Sequence, residues 1–308
     1  MESKGKEQDM KARWSVLTAL VCGLLASGSV HAVTLEEIQA AIQQRGAAWT
    51  AGENSIWNRP LSDRRGLVGT ILEGNNADVP AATSELQALP GSFDWRSQAM
   101  VTPVKDQGQC GSCWAFAAVG ALESSLLVNQ AVVGVVPDLS EQFVVSYNLT
   151  NHGCNGGSLG NVSNFLQKVG DPLEECKPYA ATSRKLPRPC QEWRDQAAGI
   201  GAWGPVAKDV NALKAAVYQG PVATGFYVFE DFYAYTGGVY THVSGELLGG
   251  HAILVVGWDD ADQCFIVKNS WGPDWGESGY FRIAYSQMLN EVDFGADSVA
   301  YVNPWTID

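Results

Sequence analysis

The chain has little of what marks several large protein classes. Of its 308 residues only 17% are charged, and 20 lysines and arginines face 33 aspartates and glutamates, a formal net charge of −13. So acidic a surface suits neither nucleic acid nor an anionic membrane. No repeat and no low-complexity tract is present, and an apolar content of 46% with abundant glycine and tryptophan excludes a disordered chain. Long hydrophobic runs are missing too. The one candidate, "WSVLTALVCGLLASGSV", has an apolar core from about Val16 to Ala26, whereas a spanning helix needs about 20 residues. Histidine is scarce: the four, at 31, 152, 242 and 251, stand far apart. There is one C-x-x-C pair, Cys110 and Cys113, and no second. A zinc site draws about four ligands from two such pairs, or from one pair and clustered histidines, so no metal is expected. A thioredoxin-type dithiol needs a βαβ frame that does not surround this pair.

What is present begins with an address. Lys11 and Arg13 precede the apolar run and "VHA" closes it, the layout of an export signal cut after Ala32. Met10 is an alternative start within the mixed-charge head. Residues 1–32 therefore read as a signal peptide, and the destination as the secretory pathway: extracellular, lysosomal or periplasmic. Disulfides persist in such spaces. Cys22 leaves with the signal. The six cysteines that remain allow three bridges, or two bridges with one working and one inert thiol.

Residues 33–88 contain no cysteine. "LEEIQAAIQQRGAAWTAG" places Ile38, Ile42, Arg45 and Trp49 on one side of an amphipathic helix. "GLVGTIL" (66–72) reads as a short strand, and "EGNNADVPAATSE" (73–85) as a linker open to proteolysis. From Leu89 the chain turns dense in aromatics and glycines. Helices are expected over 113–130, 140–147, 158–170 and 209–219, the second capped by Ser140 and the last closed by Gly220-Pro221. Strands are expected in "PVATGFYV", "HAILVVGWDD", "CFIVKNSWG", "GYFRIAY" and "SVAYVN". Helices first and strands later argue for an α+β protein of two lobes with a cleft between them.

Cys113 stands at the start of the apolar helix, where unpaired N–H groups and the helix dipole favour a thiolate. Cys110 precedes the turn and is placed to fix it through a bridge, while Gly108 and Gly111 permit a tight backbone. "PVKDQGQCGSCWAF" resembles the nucleophile segment of papain-like cysteine proteases, whose histidine and asparagine follow roughly 130–150 residues downstream. "GGHAILVVGW" supplies His251, "VKNSWG" supplies Asn269, and "SEQ" and "GCNGG" come in the family's order. The resemblance covers residues 89–308. Within the family, "GVYTHVSGELLGGHAI", "LPGSFDWR" and the 33–72 leader resemble the cathepsin B-like subgroup. The departure is "CKPYAATSRKLPRPCQEW", which holds no histidine where cathepsin B carries a long occluding loop with paired histidines.

The resemblance implies a papain-like two-lobe fold: a helical left lobe (about 89–200), an antiparallel β-barrel-like right lobe (about 201–308), and a short inhibitory propeptide (33–88) before them. It implies a Cys113 nucleophile, His251 as base and acid, Asn269 orienting the ring, and Trp271 shielding that contact. Gln107 becomes the oxyanion donor. Gly156, Gly157 and Gly250 become backbone contacts for an extended peptide, and Val299 the floor of the main specificity pocket. It pairs Cys110 with Cys154 and Cys176 with Cys190, and leaves Cys264 a buried free thiol. The expected activity is a cysteine endopeptidase made as a secreted zymogen, with no cofactor and an apolar preference two residues before the cut. Its expected partners are peptide or protein substrates, its own propeptide as intramolecular inhibitor, and cystatin-like inhibitors. The expected state is a monomer. A silent binding protein on the same scaffold is the alternative, which the intact Cys113, His251, Asn269 and Gln107 oppose.

Overall fold

The computed structural model describes residues 32–74, 76, 79, 89–132 and 134–306. The export signal, the alternative start and most of the 73–85 linker lie outside the described residues.

The leader starts with helix α1 (Leu35–Arg45), opened by a capping box in which Thr34 and Glu37 satisfy each other's backbone N–H groups. Gly46 ends it in the left-handed conformation at φ 62°, which glycine adopts without steric cost. This stop corrects one expectation. Ile38 and Ile42 face the core from the helix, but Trp49 lies beyond Gly46 in strand β1 (Trp49–Ala51), paired with β5 (Tyr235–Tyr240). The short helix α2 (Leu61–Arg65) follows. The segment 66–72 then runs as a string of single contacts with one isolated bridge at Thr70 rather than as a strand.

Helix α3 (Cys113–Val128) is buried almost all round, as its unbroken apolar composition requires. Helices α4 (Glu141–Tyr147) and α5 (Leu159–Lys168) are opened by Ser140 and Ser158, whose hydroxyls accept from the N3 amides. Helix α6 (Val210–Gln219) is capped by Asp209 and ends at Gly220.

The remaining strands are β2 (Ser92–Asp94), β3 (Ala198–Pro205), β4 (Val222–Phe229), β6 (Leu247–Asp259), β7 (Cys264–Lys268), β8 (Tyr280–Ala284) and β9 (Ala296–Thr306). They form a sheet in the order β1-β5-β8-β7-β6-β4-β9-β3, with β2 paired to β6. Every pairing is antiparallel except β5 with β8. From His251 to Gly257, β6 is buried on both faces, which explains why it reads as a continuous apolar run rather than an alternating one.

Two apolar cores result. One gathers the aromatics of β4–β8 with the leader's Ile38, Ile42, Trp49, Ile56 and Leu67. The other surrounds α3, α4 and α5, and it also takes Ile200, Ala223, Ala252, Leu254, Val256 and Val299 from the sheet. The expected division near residue 200 falls at the start of β3, and β4, β6 and β9 serve both cores, turning one face to each.

Candidate active site

Cys113 is the first residue of α3 and is fully buried. The turn before it is fixed from several sides. Cys110 is bridged to Cys154 with an S–S distance of 2.05 Å, and the Gly111 N–H donates to the Cys154 carbonyl at 3.0 Å. Tyr179 Oη donates to the Gln107 carbonyl at 2.7 Å and meets Ser112 Oγ at 2.7 Å. Tyr179 belongs to the segment closed by the second bridge, Cys176–Cys190. Gln107 is buried; its Oε1 accepts from Ser270 Oγ at 2.7 Å, so its amide nitrogen faces Cys110, where it donates to the Cys110 carbonyl at 2.8 Å.

The opposite wall comes from β6 and from the residues after β7. His251 is fully buried on β6, and its Nε2–H donates to Asn269 Oδ1 at 2.8 Å. An amide oxygen is an acceptor only, so this contact sets the neutral ring as the Nε2–H tautomer and leaves the Nδ1 lone pair free for a proton. The Trp271 indole lies over the ring, centroids 4.7 Å apart at 31°, and keeps water from the His251–Asn269 contact.

The leader fills the space between the walls. Gly157 N–H donates to the Gly69 carbonyl at 2.9 Å and Ile71 N–H to the Gly157 carbonyl at 2.9 Å. On the other side Gly69 and Thr70 N–H groups donate to the Gly250 carbonyl at 3.0 and 2.9 Å. The bridge between Thr70 and Gly157 is parallel. Gln107 Nε2 donates to the Leu67 carbonyl at 2.9 Å, and Thr70 Oγ1 sits 3.1 Å from Cys113 Sγ. Backbones approach so closely that a Cβ on Gly69 would stand 2.2 Å from the Gly111 carbonyl oxygen, and one on Gly156 2.6 Å from that of Gly69. Leu72 packs where Gly225 and Gly250 lack side chains.

Burial under the leader decides the charge state. Desolvation pushes the Cys113 thiol above its ordinary pKa, although Thr70 and nearby backbone groups pull the other way. Desolvation also lowers His251 to about 4, against the opposing hydrogen bond of Asn269. Both shifts favour the uncharged forms, because a charge buried away from water loses its hydration. Among the described residues His251 Nδ1 has no hydrogen-bond partner, and the sulfur's side-chain partner is Thr70.

The structure brings together Cys113, His251, Asn269, Gln107, Trp271, Gly156, Gly157 and Gly250 around the leader. Val299 is different: it is buried on β9 opposite Ala223, in the core that also holds Ala252, and the contacts of Leu72 are with Gly225 and Gly250. Cys264 is a buried free thiol, as expected. Sequence reasoning missed Gly69 and Thr70, which touch the site, Ser270, which orients Gln107, and Gly225. The signal for the first two was at hand, a glycine and a hydroxyl inside the apolar run "GLVGTIL".

A thiol at a helix tip, an imidazole held by an amide, and a leader hydrogen-bonded beside both define a class. The chain belongs to the papain family of cysteine proteases, whose family model, "Papain family cysteine protease", matches residues 89–301. It is 36% identical over 292 residues to "Cathepsin B-like CP3" of Giardia intestinalis, covering 86% of this chain and 93% of that one. "Oryzain beta chain" of Oryza sativa subsp. japonica is 40% identical over 207 residues, 64% of this chain and 43% of that one. Among solved structures, "proCathepsin B S9 from Trypanosoma congolense" superposes with a TM-score of 0.77 at 25% identity, covering 89% of this chain and 99% of the other. A digestive procathepsin L 3 of Tenebrio molitor gives 0.72 at 29%, covering 87% and 88%. The fold is papain-like, the subgroup is cathepsin B-like, and an intramolecular propeptide fits the procathepsin neighbours.

Proposed function

We propose that the chain is the zymogen of a secreted cysteine endopeptidase, with residues 1–32 as signal, 33–88 as propeptide and 89–308 as the mature, monomeric enzyme. The observation that carries this reading is the single leader segment 67–72, which touches the Cys113 sulfur, the Gln107 amide and the Gly157 and Gly250 backbones at once. Those are the groups an extended substrate needs.

With the propeptide gone, water returns to the cleft and the proton moves from Cys113 Sγ to His251 Nδ1. Asn269 accepts from the far side of the resulting imidazolium. The thiolate attacks the substrate carbonyl carbon. The developing oxyanion takes hydrogen bonds from Gln107 Nε2, freed from Leu67, and from the backbone N–H of Cys113; each such donor contributes roughly 3 kcal/mol to barrier lowering. His251 returns its proton to the leaving amine, and a water activated by the same ring hydrolyses the acyl-enzyme.

Leu72 against Gly225 and Gly250 supports an apolar preference two residues before the cut. The histidine-free segment 176–190 supports an open cleft and cuts within chains. Cystatin-like inhibitors suit such a cleft. Reaction of the matured protein with an epoxide or fluoromethylketone tests the mechanism: one equivalent on Cys113 is expected, and no labelling overturns it. Cleavage of a peptide library tests specificity, since release of C-terminal dipeptides alone would refute the open cleft.

A further inference from the structure

Glu230, the residue after β4, is only 3% exposed. Its Oε2 accepts from two backbone groups, the N–H of Glu246 at 3.3 Å and the N–H of Val33 at 3.3 Å. Gly245 closes one side so tightly that a Cβ there would stand 2.7 Å from that of Glu230. Among the described residues no ion pair reaches this carboxylate. Arg64 feels its charge, but that guanidinium is turned to the Trp57 and Tyr233 rings. A carboxylate taken out of water is costly unless it is paired as well as hydrogen-bonded. Glu230 has the hydrogen bonds and lacks the cation.

Val33 is the residue that a cut after Ala32 would make the first of the chain. The compact unit that holds it begins at Ala32; Val33 packs half-buried against the aromatic core, and Thr34 opens α1. We propose that Glu230 is a binding site for an α-ammonium group, that of Val33 in the exported zymogen. Hydrolysis of the Ala32–Val33 bond by a signal peptidase consumes one water. Its oxygen turns the Ala32 carbonyl into a carboxylate that leaves with the signal, and both its protons go to the Val33 nitrogen. That nitrogen becomes an ammonium with an ordinary pKa of about 8, charged at neutral pH. The group that already donates to Glu230 then carries a positive charge in the same place, and the contact becomes an ion pair. The dipole of α1 disfavours a cation just ahead of it, and Glu36 and Glu37 in the first turn offset this. Removal of the signal thus completes the clamp that holds the leader on the core. The inference rests on the signal boundary proposed above.

The test compares two zymogens carrying Cys113→Ser, which stops self-cleavage. One starts at Val33, freed from a removable tag; the other keeps Gly-Ser-Ala ahead of it. The folding constant from urea titration is expected to be about tenfold larger for the Val33 start, the effect of a hydrogen bond between charged groups. In Glu230→Gln, which keeps an acceptor but not the charge, that ratio is expected to fall to about twofold or less. A structure of the Val33 start is expected to show its nitrogen within hydrogen-bond distance of Glu230 Oε2. Equal constants for the two starts, an unchanged ratio in Glu230→Gln, or a nitrogen turned away from Glu230 overturns the proposal. The comparison of starts and the structure need no altered Glu230, so they decide the matter even if that variant does not fold. Sequencing of the exported protein that places the cut elsewhere overturns the signal boundary instead, so the two failures are distinct.

Discussion

The leader grips the rest of the chain in two unlike ways. Residues 34–65 form the regular elements α1, β1 and α2 and bury side chains from them: Ile38, Ile42, Trp49 and Ile56 enter the aromatic core, and the Arg64 guanidinium lies 4.4 Å over Trp57. Residues 66–72 form no regular element. They hold the cleft through backbone hydrogen bonds and through glycines that allow near-contact of main chains. The difference separates two jobs. Apolar area supplies most of the affinity, while the extended segment decides which groups are occupied and, by excluding water, which charges exist.

That division can be broken at several points. The largest effect is expected from Trp49→Ala, which removes a buried indole and costs about 3–5 kcal/mol. Urea unfolding of the zymogen registers the loss, while the activity of the matured enzyme, which on the proposed division lacks residue 49, stays unchanged. An altered mature activity would show that the anchor also shapes the site. Acid comes next. A His251 pKa held near 4 in the folded zymogen, against about 6.5 in the unfolded chain, means that the folded zymogen binds fewer protons. The stability this group contributes is therefore fully present above about pH 6.5 and falls by roughly 3 kcal/mol as pH drops to about 4. Urea unfolding of the zymogen is expected to grow easier through that window, and a flat profile would contradict the lowered His251 pKa.

Gly69→Ala probes the extended segment alone. Its Cβ collides with the Gly111 carbonyl, an overpacking cost of about 1–3 kcal/mol, so Cys113 alkylation in the zymogen is expected to rise roughly tenfold or more. Stability of α1 and β1 by hydrogen exchange should not move. The smallest effect belongs to Thr70→Val, which removes the hydroxyl at the sulfur, a contact of about 1 kcal/mol. Alkylation should rise about fivefold. No change would mean that exclusion of water, not this hydrogen bond, keeps the thiol silent.

Much of the architecture was legible because local signals were strong. Ser140, Ser158 and Asp209 mark helix starts through short-range hydrogen bonds, and the all-apolar α3 announces its own burial. Trp49 was misassigned because its spacing fits a helical face, and the glycine at 46 that ends the helix was passed over. Strand β3 was missed because "AGIGAWGP" carries glycines and a proline that weaken any strand signal. Its pairing with β9, about 100 residues away, supplies what propensity does not. Glu123, Glu141, Lys105 and Lys268 are scattered charges in the sequence, and nothing local tells that they close around one cavity.

The residue types alone determined the kind of chemistry: one thiol at a helix tip, one imidazole, one amide, and cysteines enough for two bridges. Those choices are encoded in identity and short-range spacing. Only the tertiary structure decided that burial disfavours charge on the thiol and the imidazole, that Thr70 lies against the sulfur, and that Asn269 backs onto a polar cavity. Charge and proximity depend on how much water a folded chain lets in, and that is set by which distant segments it brings together.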